Sequence, residues 1–221
     1  MATNNDIKNI ITGNNIYIRT QINIDTTTDV IIGLTMLEQA IKDHEYPNVS
    51  KYTWPPMQND FPGNTLVNVY ISSNGGEDLP TFAIINLFDM IKAKGAIIRT
   101  YNLSCAASNA GVIAISGSKG YRYMASHAYN LIHFGKYTTA AARQSEIEQA
   151  FINLKDDNAE YKDLYLRNTK LSEKDINTYF ENEGSGKLYA KDCLAKGLCD
   201  WVITPNGWTD KVEDLIQQKV R

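Results

Sequence analysis

The sequence has no long apolar run: nowhere in its 221 residues do apolar side chains persist for the ~18 positions that a membrane-crossing helix needs. It is also short of histidine and cysteine, with His44, His127 and His133, and Cys105, Cys193 and Cys199. The two sets show no metal-ligand spacing, so neither a metal nor another cofactor is expected. An odd number of cysteines without a leader points to reduced thiols, with Cys193 and Cys199 as small buried residues. Positive charge is not in excess: 22 Lys and Arg stand against 25 Asp and Glu, a net charge of −3. That balance gives no electrostatic footprint for nucleic acid. The stretch from Met1 to Asn9 is polar and Asn-rich rather than leader-like. The expected location is therefore cytoplasmic, with neither membrane nor nucleic acid as partner. No repeat or low-complexity tract is present.

Hydrophobic residues make up 43% of the chain, enough to build a core. Residues 15–22 read as a strand, followed by a helix over 29–42. Residues 45–64 hold four prolines and no apolar period, and are expected to form a long inserted loop. Val67, Val69 and Ile71 alternate as in a half-buried strand, and Ile84, Leu87, Phe88 and Ile91 make the apolar stripe of a helix over 79–94. A strand at 96–103, a short buried helix at 107–116 and strands at 121–124 and 129–133 follow. A long helix is expected over 138–168. Ser172 starts another, with Asp175 in the capping position three residues on. A short helix at 190–196 stops at Gly197. A strand at 201–204 precedes a C-terminal helix, 205–221, whose amphipathic part covers 210–221. Alternating strands and helices imply an α/β fold with a largely parallel sheet, whose sites gather at the carboxyl ends of strands.

Three such ends carry chemistry. In Ala106-Ala107-Ser108-Asn109-Ala110-Gly111 a serine leaves a strand and opens a helix between small neighbours. A nucleophile elbow needs that crowding-free turn, and N–H groups at the helix start can steady an oxyanion. The same serine could equally be a plain helix N-cap. Ser73-Asn74-Gly75-Gly76 ends another strand, where glycines let backbone N–H groups face a ligand; an ordinary turn reads the same way. His133 ends an apolar strand, where the choice lies between a general base and a core histidine satisfied by backbone. His44 and His127 sit among polar neighbours. Cys105 lies near Ser108 but lacks the small flanking pattern.

Taken in order, VYISSNGG, SCAASNAG, SGSKGYRYMASHAYNLIH and AKDCLAKGLCDWVI resemble the four ordered motifs of the ClpP-type serine peptidases, within the ClpP/crotonase superfamily. The serine-to-histidine interval, 133 minus 108 or 25 residues, matches without gaps. The resemblance runs from about Asn15 to Thr204. It implies a ClpP/crotonase-like fold of repeated β-β-α units with a protruding handle helix, here 138–168, and a flexible N-terminal segment, 1–14, ahead of a peptidase domain at 15–204. It implies Ser108 as nucleophile, His133 as base, and the N–H groups of Gly76 and Asn109 as the oxyanion hole. It further implies a homo-oligomer, a heptameric ring or stacked rings, with polypeptide substrates and an AAA+ unfoldase as partner.

Some residues depart from the pattern. Asn74 stands where proline is usual, Asn109 where methionine is, Ser104 where glycine is, and Phe134-Gly135 where Gln-Pro is. For the third triad member, counting back from Gly197 reaches Ser185, while counting forward from Ile176 reaches Glu183. Glu183 is the choice, because a carboxylate can stabilise an imidazolium and a serine cannot; Glu181 and Asp192 are outside candidates. The divergence and Asn-rich composition suggest a phage or mobile-element branch, with a capsid-maturation-type protease as one alternative. A catalytically silent structural or regulatory subunit is another. Crotonase-type thioester chemistry is a third, disfavoured because it does not need a Ser–His pair.

Overall fold

The computed structural model describes residues 11–12, 15–31, 34, 66–93, 96–133, 143–181 and 186–218. The inserted loop expected at 45–64 and the first ten residues lie outside them. Nine strands form one sheet: β1 (Ile11–Thr12), β2 (Asn15–Ile18), β3 (Leu66–Ser73), β4 (Ile97–Ala107), β5 (Arg122–Ala125), β6 (Tyr129–Leu131), β7 (Lys187–Tyr189), β8 (Trp201–Thr204) and β9 (Gly207–Thr209). Their order is β1-β2-β3-β4-β5-β8-β9, with β6 pairing both β4 and β7 off that path. The pairs from β2 through β8 are parallel, as is β4 with β6; β1–β2, β6–β7 and β8–β9 are antiparallel.

Seven helices are described: α1 (24–31), α2 (Asp78–Ala93), α3 (Asn109–Ile115), α4 (Gln144–Asn168), α5 (Glu173–Glu181), α6 (Ala190–Ala195) and α7 (Val212–Gln217). The result is a mixed α/β fold around a central sheet. The expected alternation on β3 sends Val67, Val69 and Ile71 into the core beneath α2, where Ile84, Phe88 and Ile91 are buried. All seven residues of α3 are buried between the sheet, α2 and α4. The opposite face of the sheet is aromatic. Tyr17, Tyr70, Tyr101 and Tyr123 are register partners on four neighbouring strands and stack with ring centroids 4.8–5.0 Å apart.

Several boundaries differ from the sequence reading. The first helix starts at residue 24 rather than 29, because the Asn23 side chain accepts the Thr26 N–H and caps it there. The long helix starts at Gln144 rather than 138: Arg143 is extended, and the Glu146 carboxylate accepts its N–H. Residues 138–142 lie outside the described set. β4 runs four residues beyond the expected 103, and β6 stops at Leu131. In the C-terminal segment residues 207–209 are a strand, not helix, turned back onto β8 by Gly207 at φ 117.

Candidate active site

The site forms where β3, β4 and β6 end side by side. β4 is long enough to pair with β5 through residues 100–102 and then with β6 through residues 105–107. That second pairing sets Ala107 beside Leu131, so Ser108 leaves β4 one residue past the pair and His133 follows β6 two residues past it. The 25-residue interval in the chain (133 minus 108) becomes adjacency in space. The Ser108 N–H donates to the Leu131 carbonyl at 2.8 Å, which ties the two strand ends together.

Ser108 is the one non-glycine residue at positive φ among the described residues, with φ 52 and ψ −129. A β-carbon in that region carries about 1–3 kcal/mol of strain and persists only where the surroundings enforce it. Here the Leu131 carbonyl holds its N–H, and its own carbonyl accepts the Gly111 N–H at 2.8 Å. Although Ser108 stands at the N-cap of α3, its side chain makes no cap hydrogen bond.

The Gly-rich turn packs directly on it. Gly75 has φ 96, and a β-carbon there would lie 2.7 Å from the Ser108 β-carbon. At Gly76 a β-carbon would lie 1.9 Å from the Ile22 carbonyl oxygen. Neither position admits a side chain. The Ile22 N–H donates to the Gly75 carbonyl at 2.9 Å, and the Glu77 N–H to the Ile22 carbonyl at 2.8 Å. In an extended strand, successive peptides point to opposite edges, so the Gly76 N–H points away from Ile22, toward α3.

Gly76, Ser108 and His133 line one cleft of about 670 Å³, together with Glu77, Asp78, Asp156 and Asp157. The Asp157 carboxyl is raised above its ordinary value by partial burial, with the Asp78 and Asp156 charges adding to it. Asn109, a departure noted in the sequence, is 4% exposed. Its Nδ2 donates to the Gly76 carbonyl at 2.9 Å and to Asp78 Oδ1 at 2.8 Å. Asp78 Oδ1 also accepts the Tyr161 hydroxyl at 2.6 Å. Sequence reasoning passed over Asp78 and Tyr161. The first looks like an ordinary acid in a helix's first turn, and the second like one more aromatic on the long helix.

The remaining candidates divide. Glu183 and Ser185 lie outside the described residues, which resume at Gly186. The Gly186 carbonyl accepts the Ile132 N–H at 2.9 Å, next to His133. Glu181 ends α5, and Asp192, in the first turn of α6, is not among the residues that line the cleft. Cys105 Sγ faces the Ser73 carbonyl and Asn74 Oδ1 at 3.6 and 3.7 Å rather than the cleft. Cys193 and Cys199 are buried free thiols, and burial raises both well above the ordinary range. Among the described residues no cluster of three or more His, Cys, Asp and Glu could hold a metal ion. Among them, too, no helix is long and apolar enough to cross a membrane.

A family model described as Clp protease matches residues 62–206, well over half of the chain, including Gly76, Ser108, Asn109 and His133. The chain belongs to the Clp protease family. The ATP-dependent Clp protease proteolytic subunit 4 of Rhodococcus jostii is 34% identical over 67 residues, which are 30% of this chain and 33% of that protein. The ATP-dependent Clp protease proteolytic subunit of Leuconostoc citreum is 29% identical over 149 residues, or 64% of this chain and 68% of that protein. The chain thus spans a third of one Clp relative and about two thirds of the other. Membership in the Clp protease family agrees with the ClpP-type resemblance read from the four motifs.

Proposed function

We propose that the chain is a serine endopeptidase that hydrolyses peptide bonds through Ser108, His133 and a carboxylate, with Glu183 as that carboxylate. The observation that carries this reading is the turn at Ser108: a strained serine, not engaged in capping, in one cleft with His133 and the Gly76 turn. Ser108 Oγ attacks the substrate carbonyl while His133 takes its proton. The oxyanion of the tetrahedral intermediate accepts the N–H groups of Gly76 and Asn109. Loss of one such donor typically costs about 3 kcal/mol of transition-state stabilisation. The intermediate collapses as His133 passes the proton to the leaving amine, and water then releases the acyl group by the same steps in reverse. Glu183 orients the imidazole and stabilises its cation.

Residues 15–204 form the peptidase body in this reading, with 45–64 as an insertion and α4 within the handle region. The Clp relatives are named as ATP-dependent proteolytic subunits, which supports a subunit that works with an ATPase. The cytoplasmic homo-oligomer, a heptameric ring or stacked rings fed with polypeptide by an AAA+ unfoldase, is the expectation carried from the family resemblance.

A fluorophosphonate probe tests the reading. It should label Ser108, and labelling should vanish in Ser108→Ala. No labelling in any oligomeric state overturns it and leaves a silent subunit of the same fold. For the third member, Glu183→Gln should lower turnover by about 10³-fold or more while Ser185→Ala leaves it near wild type. If both variants keep full turnover, the assignment of Glu183 is wrong.

A further inference from the structure

The Gly76 turn and α4 are joined by a polar chain that no part of the reaction so far uses. It runs from the Gly76 carbonyl to Asn109 Nδ2 at 2.9 Å, from Nδ2 to Asp78 Oδ1 at 2.8 Å, and from Asp78 Oδ1 to the Tyr161 hydroxyl at 2.6 Å. Both protons of the Asn109 amide nitrogen are used, one on each oxygen. Asn109 is 4% exposed and Tyr161 5%, so neither can exchange these partners for bulk water without opening the fold. Phe82, from α2, stacks on the Tyr161 ring at 5.0 Å between centroids and 22° between planes, which fixes where the hydroxyl points.

Gly76 lies between two anchored peptides. The peptide before it is held by the bond from the Ile22 N–H to the Gly75 carbonyl. The peptide after it is held at its N–H by the Ile22 carbonyl, which accepts from Glu77 at 2.8 Å, and at its carbonyl by Asn109, the carbonyl's one partner among the hydrogen bonds of the described residues. A glycine has no side chain to limit its φ and ψ, so its orientation depends on those three bonds, and the Asn109 bond is the one that comes from the α3 side. An oxyanion donor is effective when its direction is set before the reaction, because reorienting it during the reaction would consume the stabilisation it provides.

We propose that Asp78 and Tyr161 are positioning residues for the oxyanion site: Tyr161 on α4 holds the Asp78 carboxylate, Asp78 holds the Asn109 amide, and Asn109 fixes the Gly76 peptide. The inference rests on the serine-peptidase reading. Burial of the Tyr161 hydroxyl, with the Asp78 charge beside it, raises its proton affinity and keeps it a donor across the working pH range. The chain also accounts for an asparagine at position 109: an apolar side chain there would leave the Gly76 carbonyl without this donor and Asp78 with the Tyr161 hydroxyl but not the amide.

Two readouts test the proposal on the full chain in its native oligomeric state. The first is steady-state peptide hydrolysis by Tyr161→Phe, which keeps the stacked ring and loses only the hydroxyl, and by Asp78→Ala. The expected result is a fall in kcat of about 10-fold for the first and about 100-fold for the second, with KM within about 3-fold, the pattern of a contact felt in the transition state. The second is amide hydrogen exchange over residues 74–78, which should accelerate in both variants while exchange in β3 and β4 stays at the wild-type rate. Unchanged kcat in both variants, or exchange at 74–78 no faster than wild type in Tyr161→Phe, overturns the proposal. If wild type neither turns over peptide nor takes the fluorophosphonate at Ser108, it is the peptidase reading that fails. Exchange then decides the link: faster at 74–78 supports it, unchanged overturns it.

Discussion

Among the described residues two serines stand immediately before a helix, and they do opposite things. At Ser172 the hydroxyl accepts the Asp175 N–H at 3.1 Å and donates to Asp175 Oδ2 at 2.5 Å, while the same carboxylate oxygen accepts the Ser172 N–H at 3.0 Å. That is a reciprocal cap, local and self-contained, at the start of α5. At Ser108 the side chain makes no cap bond, and the backbone sits at φ 52 and ψ −129. The first serine satisfies the helix it precedes. The second is held away from that task by the β4–β6 pairing and the close approach of Gly75. A serine placed before a helix is therefore uninformative by itself; the use of its hydroxyl separates a structural cap from a candidate nucleophile.

The largest expected effect lies at Ser108. Ser108→Ala should lower turnover by about 10⁴-fold or more while the protein stays folded, since the hydroxyl makes no cap hydrogen bond to give up. The backbone strain gives a second, smaller effect at the same position. Ser108→Gly should be more stable than Ser108→Ala by about 1 kcal/mol in urea denaturation, because glycine accepts positive φ without a β-carbon penalty. Glycine is also preferred over alanine at an ordinary N-cap, so both terms act in the same direction here. Equal stability of the two variants would mean that the turn relaxes once the hydroxyl is gone, and that the strain is not imposed by its surroundings.

The same contrast shows what the sequence made legible. Patterns carried by consecutive residues were readable: the alternation of Val67, Val69 and Ile71, the stripe on α2, the Ser172–Asp175 cap, and the small-residue frame around Ser108. The motifs, with the Ser–His interval, led to the family that the comparison found. Edge strands were not readable. β1, β7 and β9 are two or three residues long, too short for any period, and exist only through their antiparallel partners. Nor was the polar chain behind Gly76, since Asp78 meets Asn109 across 31 positions and Tyr161 across 83. Asn109 was visible as a departure from the family pattern, but what its side chain does depends on an acid and a phenol brought in by two other helices. Glu183 rests on counting from two landmarks, Ile176 and Gly197, across a segment outside the described residues.

The smallest effects lie at the other serine, and they sharpen the contrast by leaving chemistry untouched. Ser172→Ala should cost about 1 kcal/mol of stability and leave fluorophosphonate labelling at Ser108 unchanged. Its partner should also carry a pH signature. The Asp175 carboxyl is lowered to about 2, chiefly by the Ser172 hydroxyl bond and then by Lys196, whose Nζ lies 3.0 Å away. A depressed carboxyl binds its proton less readily in the folded chain than in the unfolded one. Its stabilisation is therefore complete above the ordinary carboxylate pKa near 4 and disappears as pH falls toward 2. The site is about one third exposed on both sides of the Asp175–Lys196 pair, so solvent screening holds the effect to about 1 kcal/mol or less. Asp175→Asn should accordingly melt below wild type at pH 7, with the gap closing between pH 4 and pH 2. A gap that stays constant across that range would place the stabilisation in the shape of the cap rather than in its charge.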